Sequence, residues 1–198
     1  FFGLHIIGLL WTNDLEWGVH IVRKMWYFFL LLPILYTIVV RENINKYLNS
    51  FLLAILVTQI LSFLVWFEII ETFKNAHAGN PTPFMSHISH NVILAFAIYL
   101  VINRLIIQKN MQKFQIFLYS FFAFAMTINM FITGGRAGQV AFLVMIGILI
   151  FQFFSLSKIK AFFVTLFVVP AIFISAYLLS PNFSDRVDTG YENISNYS

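Results

Sequence analysis

The stretch FQIFLYSFFAFAMTINMFI, Phe114 to Ile132, runs nineteen residues without one acidic or basic side chain. Coiled as an α-helix rising ~1.5 Å per residue, it reaches roughly 29 Å, close to the hydrocarbon thickness of a bilayer. A membrane barrel strand would instead alternate polar and apolar residues over about ten positions. The next seven residues, TGGRAGQ at 133–139, break the apolar run, and Val140–Phe154 resumes it. Two helical spans joined by a tight turn follow from this one segment.

Working outward, Met25–Val40, Phe51–Phe67 and Asn91–Ile107 precede the pair and Ala161–Leu179 follows it. The six runs would reach ~22–29 Å as helices, and flanking residues can lengthen them. Pro33 and Pro170 predict kinks. Phe1–Trp11 is apolar but too short to span and reads as a truncated helix. Ser180–Ser198 is polar and reads as the start of a loop. The chain is therefore expected to be a single transmembrane domain over 1–198, all-α, a polytopic helical bundle of about six spans plus a truncated N-terminal one. It reads as an internal piece of a larger membrane protein.

Composition agrees. Of the 198 residues 60% are hydrophobic and 10% charged, with a mean hydropathy of +0.85, where soluble domains carry roughly 25% charged residues. That excludes an ordinary soluble globule and makes membrane lipids the surroundings. The net charge of +4 is dispersed between apolar runs, so no basic patch for nucleic acid forms. The absence of cysteine removes thiolate metal sites and thiol nucleophiles.

Lys and Arg concentrate in the short cytoplasmic loops of membrane proteins. Arg41, Lys46, Arg104, Lys109, Lys113, Lys158 and Lys160 fall in one alternating set of loops, with Glu42 as its only acid. The other set carries Asp14, Glu16, Glu68, Glu71, Asp185, Asp188 and Glu192 mixed with Arg23, Lys24, Lys74, Arg136 and Arg186. The first set is expected inside, and 133–138 and 180–198 outside. All five histidines, His5, His20, His77, His87 and His90, then lie toward the outer face.

Candidate chemistry gathers in those outer loops. In TGGRAGQ, Gly134 or Gly135 could take the left-handed conformation that ends a helix, and Gly138 permits a close approach. Arg136 sits where the next helix starts with free N–H groups. A guanidinium beside the positive end of a helix suits a diphosphate, which it can grip with paired hydrogen bonds. An arginine at a span end also commonly snorkels toward water. His87 and His90, three apart, share a helix face, and Ser86 could cap that helix. They read either as interfacial histidines or as groups that hydrogen-bond, or take a proton from, a sugar. Arg186 stands among acids that can neutralise it. Arg23 and Lys24 are adjacent, so at most one turns toward a bundle interior. The candidate substrate-binding set is Arg136, Arg186, Arg23, Lys24, His87 and His90. No His-Glu-x-x-His motif occurs, and no metal is expected.

TGGRAGQVAF at 133–142 resembles the small-residue, Arg, small-residue signature of the O-antigen ligase and O-antigen polymerase superfamily of bacterial membrane glycosyltransferases. Gly135 and Ala137 flank Arg136 where members often show Ser or Thr. WTNDLEWG at 11–18 and PFMSHISHN at 83–91 are similar to segments preceding spans in ligase-like members. FSDR at 183–186 resembles the entry to that family's large periplasmic loop. The resemblance implies an inner-membrane, multi-pass enzyme moving a glycan from undecaprenyl diphosphate to the lipid A core at the periplasmic face. It implies Arg136 at the diphosphate, no nucleotide or metal cofactor, and a catalytic His and further Arg beyond Ser198. A polymerase joining repeat units, or a non-enzymatic lipid or solute transporter core, is the alternative.

Overall fold

A computed structural model describes residues 2–71, 76–108 and 110–195. Among them lie eight α-helices and no strand beyond one isolated bridge between His77 and Asn80. Six helices are long and apolar enough to cross a membrane, and the chain is a multi-pass all-α membrane protein. Backbone contacts group it into two units, residues 1–51 and 52–198.

In the first unit, α1 (Phe2–Gly8) packs on α2 (Leu15–Ile38). Asp14 caps α2 by accepting a hydrogen bond from the Trp17 amide at 2.9 Å, as acidic residues commonly do at a helix start. The helix thus begins ten residues before the apolar run at Met25, and it continues through Pro33 to its end. A short 3₁₀ turn, Arg41–Asn43, leads into α3 (Ile44–Trp66), whose residues from Leu52 onward belong to the second unit.

That second unit continues with α4 (His87–Ile107), α5 (Lys113–Ile132), α6 (Arg136–Phe153), α7 (Lys158–Leu179) and α8 (Pro181–Ser195). Each spanning helix from α4 to α7 ends within one residue of its apolar run but starts one to four residues earlier, because polar residues continue the helix. The polar stretch from Ser180, read above as a loop, is helical over Pro181–Ser195. Pro181 occupies the first helical position, where its missing N–H costs nothing.

Side-chain contacts define the topology. Helices α4 and α5 run antiparallel: Asn91 meets Thr133 at one end, and Arg104 Nη1 donates to Tyr119 Oη at 3.1 Å near the other. Helix α6 runs parallel to α4, since Gly138 seats on Asn91 and, further along both, Gln152 Nε2 donates to Tyr99 Oη at 3.0 Å. Helix α3 runs parallel to α5, with Gln59 Nε2 donating to the Ala125 carbonyl and Asn129 Nδ2 to Ser62 Oγ. The starts of α4 and α6 and the ends of α3, α5 and α7 therefore share one end of the bundle. Leu94, Ile98, Val101, Met126 and Met130 are fully buried in the middle of this unit. Phe183 of α8 packs edge-on against Phe131 and Phe173, with centroids 5.6 and 5.3 Å apart.

Candidate functional site

The turn between α5 and α6 is built by sterics rather than by special dihedrals. No glycine among the described residues has positive φ, so neither Gly134 nor Gly135 takes the left-handed conformation expected of them. Gly135 is needed because an added Cβ would stand 2.5 Å from the His87 carbonyl oxygen and 2.8 Å from Asn91 Nδ2. At Gly138 a Cβ would come inside 3.0 Å of the Asn91 backbone. The two glycines let α6 lie directly on α4, as small residues do where membrane helices meet closely.

Polar side chains knit this end together. Asn91, fully buried, directs Nδ2 at the carbonyls of Met130 and Thr133, both at 3.1 Å, and of Gly135 at 3.4 Å. Its Oδ1 accepts from Thr133 Oγ at 2.5 Å. The last carbonyls of a helix lack intrahelical partners, and burial of Met130 and Thr133 inside the bundle keeps water from theirs. Here Asn91 of α4 satisfies Met130, and Ser180 Oγ, just after α7, donates to Phe131 at 2.9 Å. Beside this, His90 Nε2 lies 3.1 Å from Asn129 Oδ1, Asn129 Nδ2 donates to Ser62 Oγ at 2.6 Å, and Ser62 Oγ donates to the Pro81 carbonyl. This second chain ties α3, α4, α5 and the loop before α4 into one unit.

Two helix starts emerge side by side from that scaffold. Ser86 caps α4, its side chain accepting from the Ser89 amide, as the sequence anticipates. Helix α6 has Gly135 as its cap, no capping side chain and no acid in its first turn. Arg136, its first residue, is exposed. The starts of α4 and α6, each the positive end of its helix dipole, adjoin here. A cleft of about 770 Å³ lies between α5 and α7 at the same end, lined by Trp66, Phe131, Ile132, Ala176 and Ser180 among others.

Of the six sequence candidates, Arg136, His87 and His90 come to this one end. His90 turns into the bundle at 3% exposure, whereas His87 stays half-exposed with its carbonyl facing Gly135. Arg23 and Lys24 lie exposed on α2, in the other unit. Arg186 is on α8, and its side chain lies outside the described residues, as do Lys74 and Lys109 altogether. Among the described residues no group of three His, Asp or Glu could hold a metal ion. Sequence reading passed over Asn91, Asn129, Thr133 and Ser62. The available signal was the polarity of Ser62, Asn91 and Asn129 within apolar runs, where an unpartnered polar group is costly; Thr133 lies just past such a run. Comparison with protein-family models, curated proteins and solved structures finds no match.

Proposed function

We propose that the chain is the membrane part of an O-antigen-ligase-like glycosyltransferase. It moves a glycan from undecaprenyl diphosphate to the lipid A core at the periplasmic face of the bacterial inner membrane. The observation that carries the reading is Arg136, exposed on the first turn of an uncapped helix with no acid beside it and set against the start of a second helix. A diphosphate leaving group brings negative charge that grows as the glycosyl bond breaks, and a guanidinium with nearby helix starts stabilises that charge. The apolar cleft at the same end suits a substrate whose charged head is attached to a lipid. The base that takes the acceptor's proton lies past Ser198 in this reading, so this stretch supplies diphosphate recognition.

The test uses the full-length protein in a strain whose own gene is deleted, read by the gel profile of surface lipopolysaccharide. Arg136→Ala is expected to leave bare core with accumulated lipid-linked glycan, and Arg136→Lys nearly the same, because a point charge does not reproduce paired guanidinium bonds. Core bearing one repeat would reassign the reaction to polymerisation. A normal profile from Arg136→Ala in inserted protein would remove Arg136 from the mechanism.

A further inference from the structure

Arg136 is attached to a short glycine-rich turn. The segment from Thr133 to Gly135 has two glycines and no capping side chain for α6; its local bonds run from the Thr133 amide and hydroxyl back to α5, from the Gly135 amide to the Thr133 carbonyl at 3.0 Å, and from the Gln139 amide to the Gly135 carbonyl. From outside α5 and α6, one side chain of α4 reaches it. Asn91 reaches carbonyls on both sides of the turn, Met130 and Thr133 before it and Gly135 at the start of α6, while its own oxygen takes the Thr133 hydroxyl.

The backbone direction of Arg136 follows. A trans peptide holds its C=O and N–H in one plane pointing opposite ways, and no cis peptide occurs among the described residues. With the Gly135 carbonyl turned inward to Asn91, the Arg136 amide must point away from the bundle interior. With the Thr133 carbonyl turned inward, so must the Gly134 amide. We propose that Asn91 is the positioning residue for Arg136: by holding these carbonyls inward it sets the direction in which Arg136 and the neighbouring amides are presented. This rests on the glycosyltransferase reading, and in it Asn91 acts through Arg136 on the diphosphate and touches no reacting atom.

The residue type is specified by the geometry. Aspartate has the same shape but would oppose a carboxylate to three carbonyls. Serine has one proton for three acceptors. Glutamine needs another methylene where Gly138 already seats on the Asn91 backbone.

The test uses full-length protein in lipid nanodiscs, with undecaprenyl-diphosphate-linked glycan as donor and lipid A core as acceptor. Asn91→Asp is expected to lower kcat/KM for the donor by about 100-fold, the scale of a misplacement near 1 Å, with the acceptor KM unchanged. Because the residue works through Arg136, the double variant Asn91→Asp/Arg136→Ala should be no slower than Arg136→Ala alone. Losses that multiply instead would make Asn91 a general stability residue and overturn the proposal. Thr133→Val keeps the shape and deletes one bond to Asn91, so it serves if Asn91→Asp fails to insert; an unchanged donor kcat/KM in Thr133→Val, or a loss there that multiplies with that of Arg136→Ala, also overturns it. Hydrogen exchange at the Gly135 and Gln139 amides, whose acceptors are the clamped carbonyls, should accelerate in Asn91→Asp whatever the activity. Full activity in Arg136→Ala would defeat the glycosyltransferase reading itself. Loss in Arg136→Ala with none in Asn91→Asp would defeat only the positioning role.

Discussion

His90 Nε2 and Asn129 Oδ1 stand 3.1 Å apart, and this pair fixes which nitrogen of the histidine carries the proton. Ser62 donates to the Pro81 carbonyl, which has no proton of its own to give, so Ser62 must accept from Asn129 Nδ2. The Asn129 oxygen then faces His90 and can only accept. Neutral His90 is therefore protonated on Nε2, with its lone pair on Nδ1. Nitrogen-15 shifts of histidine-labelled protein in lipid should show a protonated Nε2, and a protonated Nδ1 would invert the chain. Asn129→Leu, which strands His90 Nε2 and removes the donor to Ser62, should lower stability by about 1–3 kcal/mol, read as an earlier apparent Tm.

Gly138→Ala should be among the most damaging single-methyl additions in the second unit. Its Cβ would meet the Asn91 backbone, which cannot rotate away, and overpacking of this kind costs about 1–3 kcal/mol. Gly147 lies on the same helix, and a Cβ there meets only Thr165 Cγ2 at an ordinary 3.7 Å. Gly147→Ala should thus be neutral or stabilise through helix propensity. Equal Tm values for the two variants in detergent would refute the close α4–α6 contact.

Glu68, just after α3, has φ of 58°, a left-handed conformation that costs a residue with a Cβ roughly 1–2 kcal/mol. Glu68→Gly should accordingly raise the apparent Tm. A fall would mean that the carboxylate contributes more than the backbone strain removes.

Gln59 is 3% exposed and uses one end only: Nε2 bonds the Ala125 carbonyl, while Oε1 is buried without a partner among the described residues. Replacing a half-satisfied amide by an apolar side chain of similar length removes a desolvation cost along with one bond. Gln59→Met should change stability by less than about 1 kcal/mol, in contrast to Asn129→Leu. A loss equal to that of Asn129→Leu would show that Oε1 is satisfied in the membrane.

Sidedness is open to cysteine labelling, since the chain has no cysteine. Gly135 is unsuitable because a side chain there strikes α4, whereas Ala137 is exposed. From the Lys and Arg bias, an impermeant maleimide on intact spheroplasts should label Ala137→Cys and leave Ser157→Cys unlabelled. The reverse pattern would turn the bundle over.

The spans were legible because hydrocarbon imposes length and apolarity on any helix that crosses it, and five of the six ends fall within a residue of the apolar runs. Helix starts were less legible. Leu15 precedes Met25 by ten residues because an Asp14 cap and an amphipathic first stretch continue smoothly into the span. At the site, Arg136 at a helix start and a close approach at Gly138 could be read from a local motif, though not what Gly138 approaches. Asn91 could not. Its partners lie about forty residues away, and one-dimensional polarity marks such a residue as costly without saying what satisfies it.

The parallel pairing of α4 with α6 also constrains how the chain is made. Asn91 leaves the ribosome more than forty residues ahead of Gly135, and all of α5 must enter the bilayer and reverse direction before the two can meet. Throughout that interval the amide of Asn91 has none of the partners it will have in the finished bundle. A chain stopped after α4 holds an unsated polar group near one end of a hydrophobic helix. Insertion thus has a natural checkpoint at the turn after α5, where a nascent membrane helix exchanges headgroups and water for the carbonyls of its own later sequence.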